Sequence, residues 1–246
     1  MNRIQNLFLG VFILSALAWA GLILVPYYQL GKLDVVVDEE SGKSLPQLPT
    51  GLQLRGQDVY LSQGCVYCHT QQVRDTHQGA DIQRGWGNRR TVARDYIHET
   101  PALLGFMRLG PDLANVGSVQ RMITILGIDK KEPYKSIDSA GKTSFQVAME
   151  IRGMIPDEEW DQRVAEYRQW LHEHLYDPRS FNDWSIMPGF EGLYQKVPLV
   201  GVPHPQALKN ARVENGFQVV PTARAEALVS YLMSLDRTYA LPEAQP

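Results

Sequence analysis

The chain has 246 residues, of which 44% are apolar and 21% charged, so it can bury a hydrophobic core and is neither a disordered chain nor a small peptide scaffold. Its 24 basic side chains are balanced by 27 acidic ones, which argues against sequence-independent binding to a nucleic acid backbone. The two cysteines, Cys65 and Cys68, exclude a framework of several disulfides and any metal cluster that needs three or four thiolates.

The first element in chain order is an apolar segment. No charged side chain occurs between Ile4 and Gly31. As a helix, the stretch from Leu7 to Val25 would reach about 28 Å, close to the hydrocarbon thickness of a bilayer. The sequence therefore predicts a transmembrane helix over 7–25 that follows a cytoplasmic end at 1–6, so the lipid bilayer is the first expected partner.

The flanking charges predict the orientation of this helix, because basic ends stay in the cytoplasm. Arg3 precedes the segment, and acidic residues outnumber basic ones after it: Asp34, Asp38, Glu39 and Glu40 against Lys32 and Lys43. We therefore expect the rest of the chain on the periplasmic side of a bacterial inner membrane. A cleaved signal peptide is the alternative, suggested by Ala18-Trp19-Ala20, but the apolar run continues to Val25 and favours a retained anchor.

Residues 26–50 are predicted to be a linker, since Gly42, Pro46 and Pro49 interrupt a stretch without apolar periodicity. A folded domain is expected over 51–240, with a tail at 241–246. Strand patterns are scarce, and residues 71–117 are rich in turn residues. The domain is therefore predicted to be mainly α.

Three helices are predicted in the domain. The first runs from near Leu54 to Gly64, the second from Asp157 to Asp177-Pro178, and the third follows a plausible N-cap at Thr222. The second has the clearest apolar stripe, formed by Trp160, Val164, Tyr167, Leu171 and Leu175.

The sequence Cys65-Val66-Tyr67-Cys68-His69 carries the chemistry. Two thiols three positions apart can add to the two vinyl groups of one haem, and the adjoining imidazole is then held as an axial ligand of the iron. We therefore predict one covalently bound haem c, attached at Cys65 and Cys68 and ligated by His69. A thioredoxin-like pair would have no use for His69, and a zinc site would lack its other ligands.

The sixth iron ligand determines whether such a haem passes electrons or binds small molecules. Met187 is the preferred candidate because it lies in a rigid apolar loop, Ser185 to Phe190, and Met154 is the runner-up. The other thioethers and imidazoles are Met107, Met122, Met149, Met233, His77, His98, His172, His174 and His204. His172 and His174 are two apart on a helix, cannot share one ion, and are expected to be surface or packing residues.

Two further features concern the surroundings of a haem. A metal-bound imidazole needs an acceptor for its other nitrogen, and the turn Leu109 to Leu113 offers the carbonyl of Pro111. Arg84, Trp86, Arg89 and Arg90 form a basic and aromatic cluster. This cluster could contact haem propionates or a partner, although a solvated loop explains it equally well.

The order of these features resembles the class I cytochrome c fold, in which the first and last helices cross and the haem lies between a proline loop and a methionine loop. More narrowly, four blocks are similar to subunit II of cbb3-type cytochrome c oxidases, the membrane-anchored mono-haem subunit. The blocks are Gly56 to Tyr60, Gly64 to Arg74, Arg108 to Gly117, and His174 to Arg179 with Met187-Pro188 beyond it.

This resemblance implies that Cys65 and Cys68 carry the haem and that His69 and Met187 bind its iron. It also implies an electron relay in aerobic respiration, from a further cytochrome c subunit or a soluble donor to a haem-copper catalytic subunit, with no active site in this chain. Against the family pattern, residues 118–165 look like an insertion, and the segment between Met187 and the last helix looks short.

Two other functions stay open. An anchored cytochrome c could serve another complex, such as a nitric oxide reductase, but should then lack the blocks at 108–117 and 174–179. A haem peroxidase would need a vacant or displaceable sixth ligand position. Oxygen reduction by this chain alone is not expected, because the sequence has a single haem motif and no cysteine left for a dicopper centre.

Overall fold

The computed structural model describes residues 2–39 and 42–244. Met1, Glu40, Ser41, Gln245 and Pro246 lie outside the described residues, so parts of the predicted cytoplasmic end, linker charges and tail fall on them. The chain divides into two compact units. The first comprises Met1–Gln47 and Val92–Ala102, and the second comprises Leu48–Thr91 and Leu103–Pro246.

The first unit begins with a long apolar helix. Its parts are α1 (Arg3–Trp19), a π-helical turn (Ala20–Leu24) and α2 (Val25–Leu30), 28 residues in all. The π-helical turn ends two residues before Pro26, and the Val25 N–H reaches back five residues to the Ala20 carbonyl. None of the most apolar stretch is buried, and the helix is long and apolar enough to cross a membrane. It contains the predicted span 7–25 and extends beyond it at both ends.

The rest of the first unit is a small hairpin and a loop. Strand β1 (Val36–Val37) pairs with β2 (Ser44–Leu45) in antiparallel fashion. The Arg94 guanidinium donates to the Asp34 carbonyl, and His98 Nε2 lies 3.1 Å from the Pro46 carbonyl oxygen. The stretch interpreted as a linker therefore contains ordered structure held by these contacts.

The second unit is built on a close crossing of two helices. Helix α3 (Gly51–Ser62) begins at Thr50, whose side chain accepts from the Gln53 N–H, and the last helix α7 (Ala223–Ser234) begins at Thr222 in the same way. A Cβ on Gly56 would lie 2.0 Å from the Ala227 carbonyl oxygen, so only glycine allows this approach of the two helices. The predictions of a helix here and of the N-cap at Thr222 are both confirmed.

Three further helices complete this unit: α4 (Val119–Ile125), α5 (Ser144–Met154) and α6 (Asp157–Tyr176). Helix α6 matches its prediction, since Trp160, Tyr167, Leu171 and Leu175 are buried and the chain leaves the helix just before Pro178. Helices α4 and α5 lie within the segment 118–165 and contribute Ile123 and Ile151 to the core.

Like the β1–β2 hairpin, one hairpin of the second unit was not predicted from the sequence. Strand β3 (Tyr194–Pro198) pairs antiparallel with β4 (Phe217–Pro221), with Tyr194 opposite Pro221. The strands are far apart in sequence and have no tight-turn motif between them, so local patterns gave little indication of their pairing. The segment between Met187 and α7, which looked short, therefore holds both strands and their long connection.

The loops between α3 and α4 are fixed by polar side chains rather than by regular structure, as the richness in turn residues predicted. The Asn115 amide group donates to the Trp86 carbonyl at 2.9 Å and accepts from the Arg237 N–H at 2.7 Å. The Arg237 guanidinium in turn donates to the Gln71 carbonyl at 2.7 Å. The segment after α7 thus ties together the loops that carry the candidate site.

Candidate functional site

The cysteines and His69 lie on one tight turn that follows α3. The N–H groups of Cys68 and His69 both donate to the Cys65 carbonyl, at 3.1 and 3.0 Å. Both thiols are free and partly exposed. Burial raises the pKa of the Cys65 thiol to about 11, so this thiol is protonated at neutral pH, unlike the activated thiolate of a thioredoxin-like pair.

A zinc site finds no support in this part of the molecule. Among residues 2–39 and 42–244, no group of three or more His, Cys, Asp or Glu side chains is placed to hold a metal ion. The turn instead offers two thiols and one imidazole, the donor set that a covalently attached haem requires.

The His69 ring is held in one orientation. Its Nδ1 lies 2.8 Å from the carbonyl oxygen of Pro111, and because a carbonyl only accepts, Nδ1 must carry the proton. Burial lowers the pKa of His69, while the Pro111 carbonyl and Asp112 oppose that shift. The ring is therefore neutral at pH 7, with the Nε2 lone pair left for a metal.

Gly110 packs directly against the His69 ring. A Cβ at Gly110 would lie 2.2 Å from Cε1 and 2.8 Å from Nδ1 of His69, a distance that no side chain tolerates. The Gly110 N–H also donates to the Cys68 carbonyl at 3.0 Å. The loop 109–113, called the proline loop below, and the turn that carries Cys65, Cys68 and His69, called the cysteine turn, are thus joined directly at the imidazole.

Asp112 holds the proline loop in place through hydrogen bonds. Its buried carboxylate accepts from the Thr70 hydroxyl at 2.5 Å, the Gln72 N–H at 2.8 Å and the Ala114 N–H at 2.9 Å. The Arg108 guanidinium lies 3.6 Å from the same carboxylate. This network fixes the position of the Pro111 carbonyl, and sequence reasoning did not assign a role to Asp112.

The structure uses the predicted basic and aromatic cluster mainly for internal contacts. The guanidinium carbons of Arg84 and Arg108 lie 5.0 and 5.6 Å from the centroid of the Trp86 ring. Arg89 is buried and donates to the Tyr239 carbonyl at 2.8 Å, and Arg90 lies 4.0 Å from Asp75. Arg89 is therefore not part of an exposed surface.

Met187 lies in a loop fastened to the end of α6. Its side chain is partly buried against the core, and its N–H donates to the Ser185 hydroxyl at 3.3 Å. Three residues further on, the Phe190 N–H donates to the Leu175 carbonyl at 2.8 Å. The methionine loop is thereby attached at the C-terminal end of α6.

The same end of α6 lies near His69. The His174 ring stacks on Trp170 with the ring centroids 4.8 Å apart. The pKa of His174 is lowered to about 4, first by burial and then by the nearby His69. His174 and the methionine loop are therefore both at the C-terminal end of α6.

The other ligand candidates lie elsewhere or serve in packing. Met154 ends α5 and is half exposed, and His98 belongs to the first unit. His172 is buried, with Nδ1 3.2 Å from the Tyr194 hydroxyl, which makes it one of the packing residues that the sequence suggested.

The buried Nδ1 of His174 has no hydrogen-bond partner among the described residues. With two free thiols and the oriented imidazole of His69 on one turn, the residues present fit a haem that is attached through both thiols and ligated by the imidazole.

Comparison with known proteins places this arrangement in a class, the mono-haem subunits of cytochrome c oxidase. The family model described as "Cytochrome C oxidase, mono-heme subunit/FixO" matches residues 3–123 of the chain. No curated protein matches the chain.

The matched residues include the apolar helix, the cysteine turn and the proline loop, whereas Met187 and α7 lie beyond them. The resemblance found from the motifs is thus confirmed at the level of this family. The family carries one haem and takes part in electron transport as a component of a cytochrome c oxidase complex.

Proposed function

We propose that the protein is the electron-relay subunit of a cbb3-type cytochrome c oxidase. In this proposal Cys65 and Cys68 bind one haem c covalently, and His69 and Met187 are the axial ligands of its iron. The observation that carries the proposal is the imidazole of His69, fixed through Nδ1 to Pro111 at 2.8 Å on the turn that also bears both free thiols.

When bound, the haem supplies transfer of one electron at a time between ferric and ferrous iron. His69 contributes the Nε2 lone pair, and the Pro111 carbonyl orients the ring and increases its basicity by accepting a hydrogen bond from the Nδ1–H. Met187, held in its loop at the end of α6, would supply a thioether as the second protein ligand of the iron. With both positions filled by protein, a small molecule such as dioxygen or peroxide has no place to bind.

The remaining features support a relay rather than a terminal reaction. Reduction of dioxygen to water needs several electrons, and one haem holds one, so electrons must pass onward to another subunit. The proposed donor is a further cytochrome c subunit or a soluble cytochrome, and the proposed acceptor is a haem-copper catalytic subunit. The apolar helix Arg3–Leu30 would keep the subunit beside that partner, with its haem domain on the periplasmic side.

The iron ligand is tested with Met187→Ala in the haem-loaded full chain. The ferric protein should lose the sulfur-to-iron charge-transfer absorption, while the haem stays covalently attached. Met154→Ala is the matched control, since Met154 lies at the end of α5 and should leave that band unchanged. If the band persists in Met187→Ala, another thioether is the ligand.

The partner is tested by extraction from membranes in mild detergent. The chain should purify with a polytopic subunit that contains b-type haems, and the complex should reduce oxygen with a reduced cytochrome as donor. Co-purification with a nitric oxide reductase, or a single chain with full activity toward peroxide, would contradict the proposal.

A further inference from the structure

Helices α4 and α5 and the segment between them line a cavity of about 350 Å³. Its floor is aliphatic, formed by Ile123 of α4 and by Ala148 and Ile151 of α5, all three of which are buried. Thr124 and Lys142 also line the cavity and are exposed, so it is open to solvent on their side. A volume of this size, with an apolar wall and a few polar groups, is typical of sites for small organic molecules.

Asp129 is the acidic group of this cavity and has no counter-charge. It belongs to a short 3₁₀ turn (Ile128–Lys130) and lines the cavity. Its Oδ1 is buried without a hydrogen-bond partner, and Asp129 forms no ion pair within residues 2–39 and 42–244. A carboxylate oxygen that has lost water without gaining a donor is destabilising, so a donor that enters the cavity is favoured there.

The ammonium group of Lys142 does not supply the missing counter-charge. Its Nζ lies 2.5 Å from Oε2 of Glu150, a residue that does not line the cavity. A metal ion does not fit either, because no group of three or more His, Cys, Asp or Glu side chains in the described part of the chain is placed to hold one. The uncompensated charge of the cavity is therefore the single negative charge of Asp129, which favours a monovalent organic cation.

We propose that this cavity binds a small organic ammonium compound, with the ammonium group at Asp129 and the aliphatic body on Ile123, Ala148 and Ile151. An ammonium group donates up to three hydrogen bonds, and its bonds to a carboxylate are stronger than those of a neutral donor. The terminal torsion of an aspartate is soft, so a turn of the carboxylate about Cβ–Cγ brings Oδ1 toward the cavity. Contact of the aliphatic body with the floor removes apolar surface from water.

The cavity is separate from the candidate haem site. It lies within the segment 118–165, and none of its lining residues belongs to the cysteine turn, the proline loop or the methionine loop. The inference therefore goes beyond the proposed function and does not depend on it.

The test is methyl-detected NMR of the intact full chain in detergent, with isoleucine and alanine methyl groups labelled and cyclohexylammonium as the probe. The methyl signals of Ile123, Ala148 and Ile151 should shift along one saturable binding curve. The signal of Ile13, in the exposed apolar helix α1, should not follow that curve, because Ile13 reports partition of the probe into the micelle. If the cavity signals do not saturate, or merely follow Ile13, the inference is wrong.

Two analogues of similar shape test the role of charge. Cyclohexanol is neutral and cyclohexanecarboxylate is negative. Both should bind about tenfold or more weakly than cyclohexylammonium, because hydrogen bonds between charged groups are the stronger ones. An alcohol or a carboxylate that binds as tightly as the amine overturns the proposal. This comparison uses the wild-type protein and is decisive even where a variant does not fold.

Asp129→Asn removes the charge and keeps the shape of the side chain. The affinity for cyclohexylammonium should fall about tenfold or more, whereas the weaker binding of cyclohexanol should not change, a difference that general damage to the cavity would not produce. Asp161→Asn is the matched control, because Asp161 is exposed on α6 and does not line the cavity. Its affinity for the amine should equal that of the wild type. Equal affinities in Asp129→Asn and Asp161→Asn would refute the inference.

Discussion

Replacing Gly110 by alanine tests whether the proline loop holds the His69 ring. The added methyl group would lie 2.2 Å from Cε1 and 2.9 Å from Nε2 of the ring, whereas ordinary van der Waals contact begins near 3.4 Å. The ring and the loop must therefore separate by more than about 1 Å at one edge of the imidazole, which stretches the 2.8 Å bond to Pro111.

Two costs add in this variant. Overpacking a well-filled site costs about 1–3 kcal/mol. Loss of a typical hydrogen bond costs about 1 kcal/mol more. We expect the free energy of unfolding to fall by about 2–4 kcal/mol, as measured by urea denaturation. We also expect the haem of the surviving protein to have a lower affinity for its histidine ligand, seen as earlier loss of low-spin absorption on acidification.

Gly153→Ala is the control for this experiment. Gly153 is within α5, and a Cβ there would have nothing within 4 Å. Alanine should stabilise this helix by roughly 0.5–1 kcal/mol. If Gly110→Ala and Gly153→Ala change the stability alike, the loop does not form a tight cradle and the argument for His69 orientation fails.

Two predictions concern buried polar groups. Asp112→Asn places an amide where the carboxylate accepts three hydrogen bonds beside Arg108. The free energy of unfolding, measured by urea denaturation, should fall by about 1–3 kcal/mol. A variant as stable as the wild type would contradict the role of this network. His172 has its pKa lowered to about 4, first by burial and then by Arg168, so the unfolded chain binds this proton more readily than the folded one. The stability that this neutral imidazole contributes is complete above pH 6.5 and is lost as the pH falls toward 4. His172→Gln should therefore flatten that part of the plot of unfolding free energy against pH. An equally steep profile in the variant would assign the pH dependence to other groups.

Much of the site could be predicted because its determinants are local. The apolar helix, the turn with Cys65, Cys68 and His69, and the stripe of α6 are all short-range patterns in the sequence. The structure places the Pro111 carbonyl at the imidazole, the position that the need for an acceptor suggested. Apart from the Pro111 contact, which joins residues 42 positions apart, each of these depends on residues a few positions apart.

What sequence reasoning missed depends on contacts between distant residues. Asp112 and its donors at Thr70 and Gln72 are about 40 positions apart, so their pairing leaves no local pattern. Burial of Arg121 is likewise a property of the folded chain, since an arginine in α4 looks like an ordinary surface residue until its neighbours are placed. The β3–β4 hairpin was missed for the same reason.

The contacts of Arg237 bear on the order of events during synthesis. This residue closes the site through Gln71 and Asn115, partners that precede it by 166 and 122 positions. During synthesis, Cys65, Cys68 and His69 are therefore made long before the segment around Arg237 that contacts their loops. If the proposed haem is attached at these thiols, the turn that carries them would be accessible until the segment around Arg237 joins it.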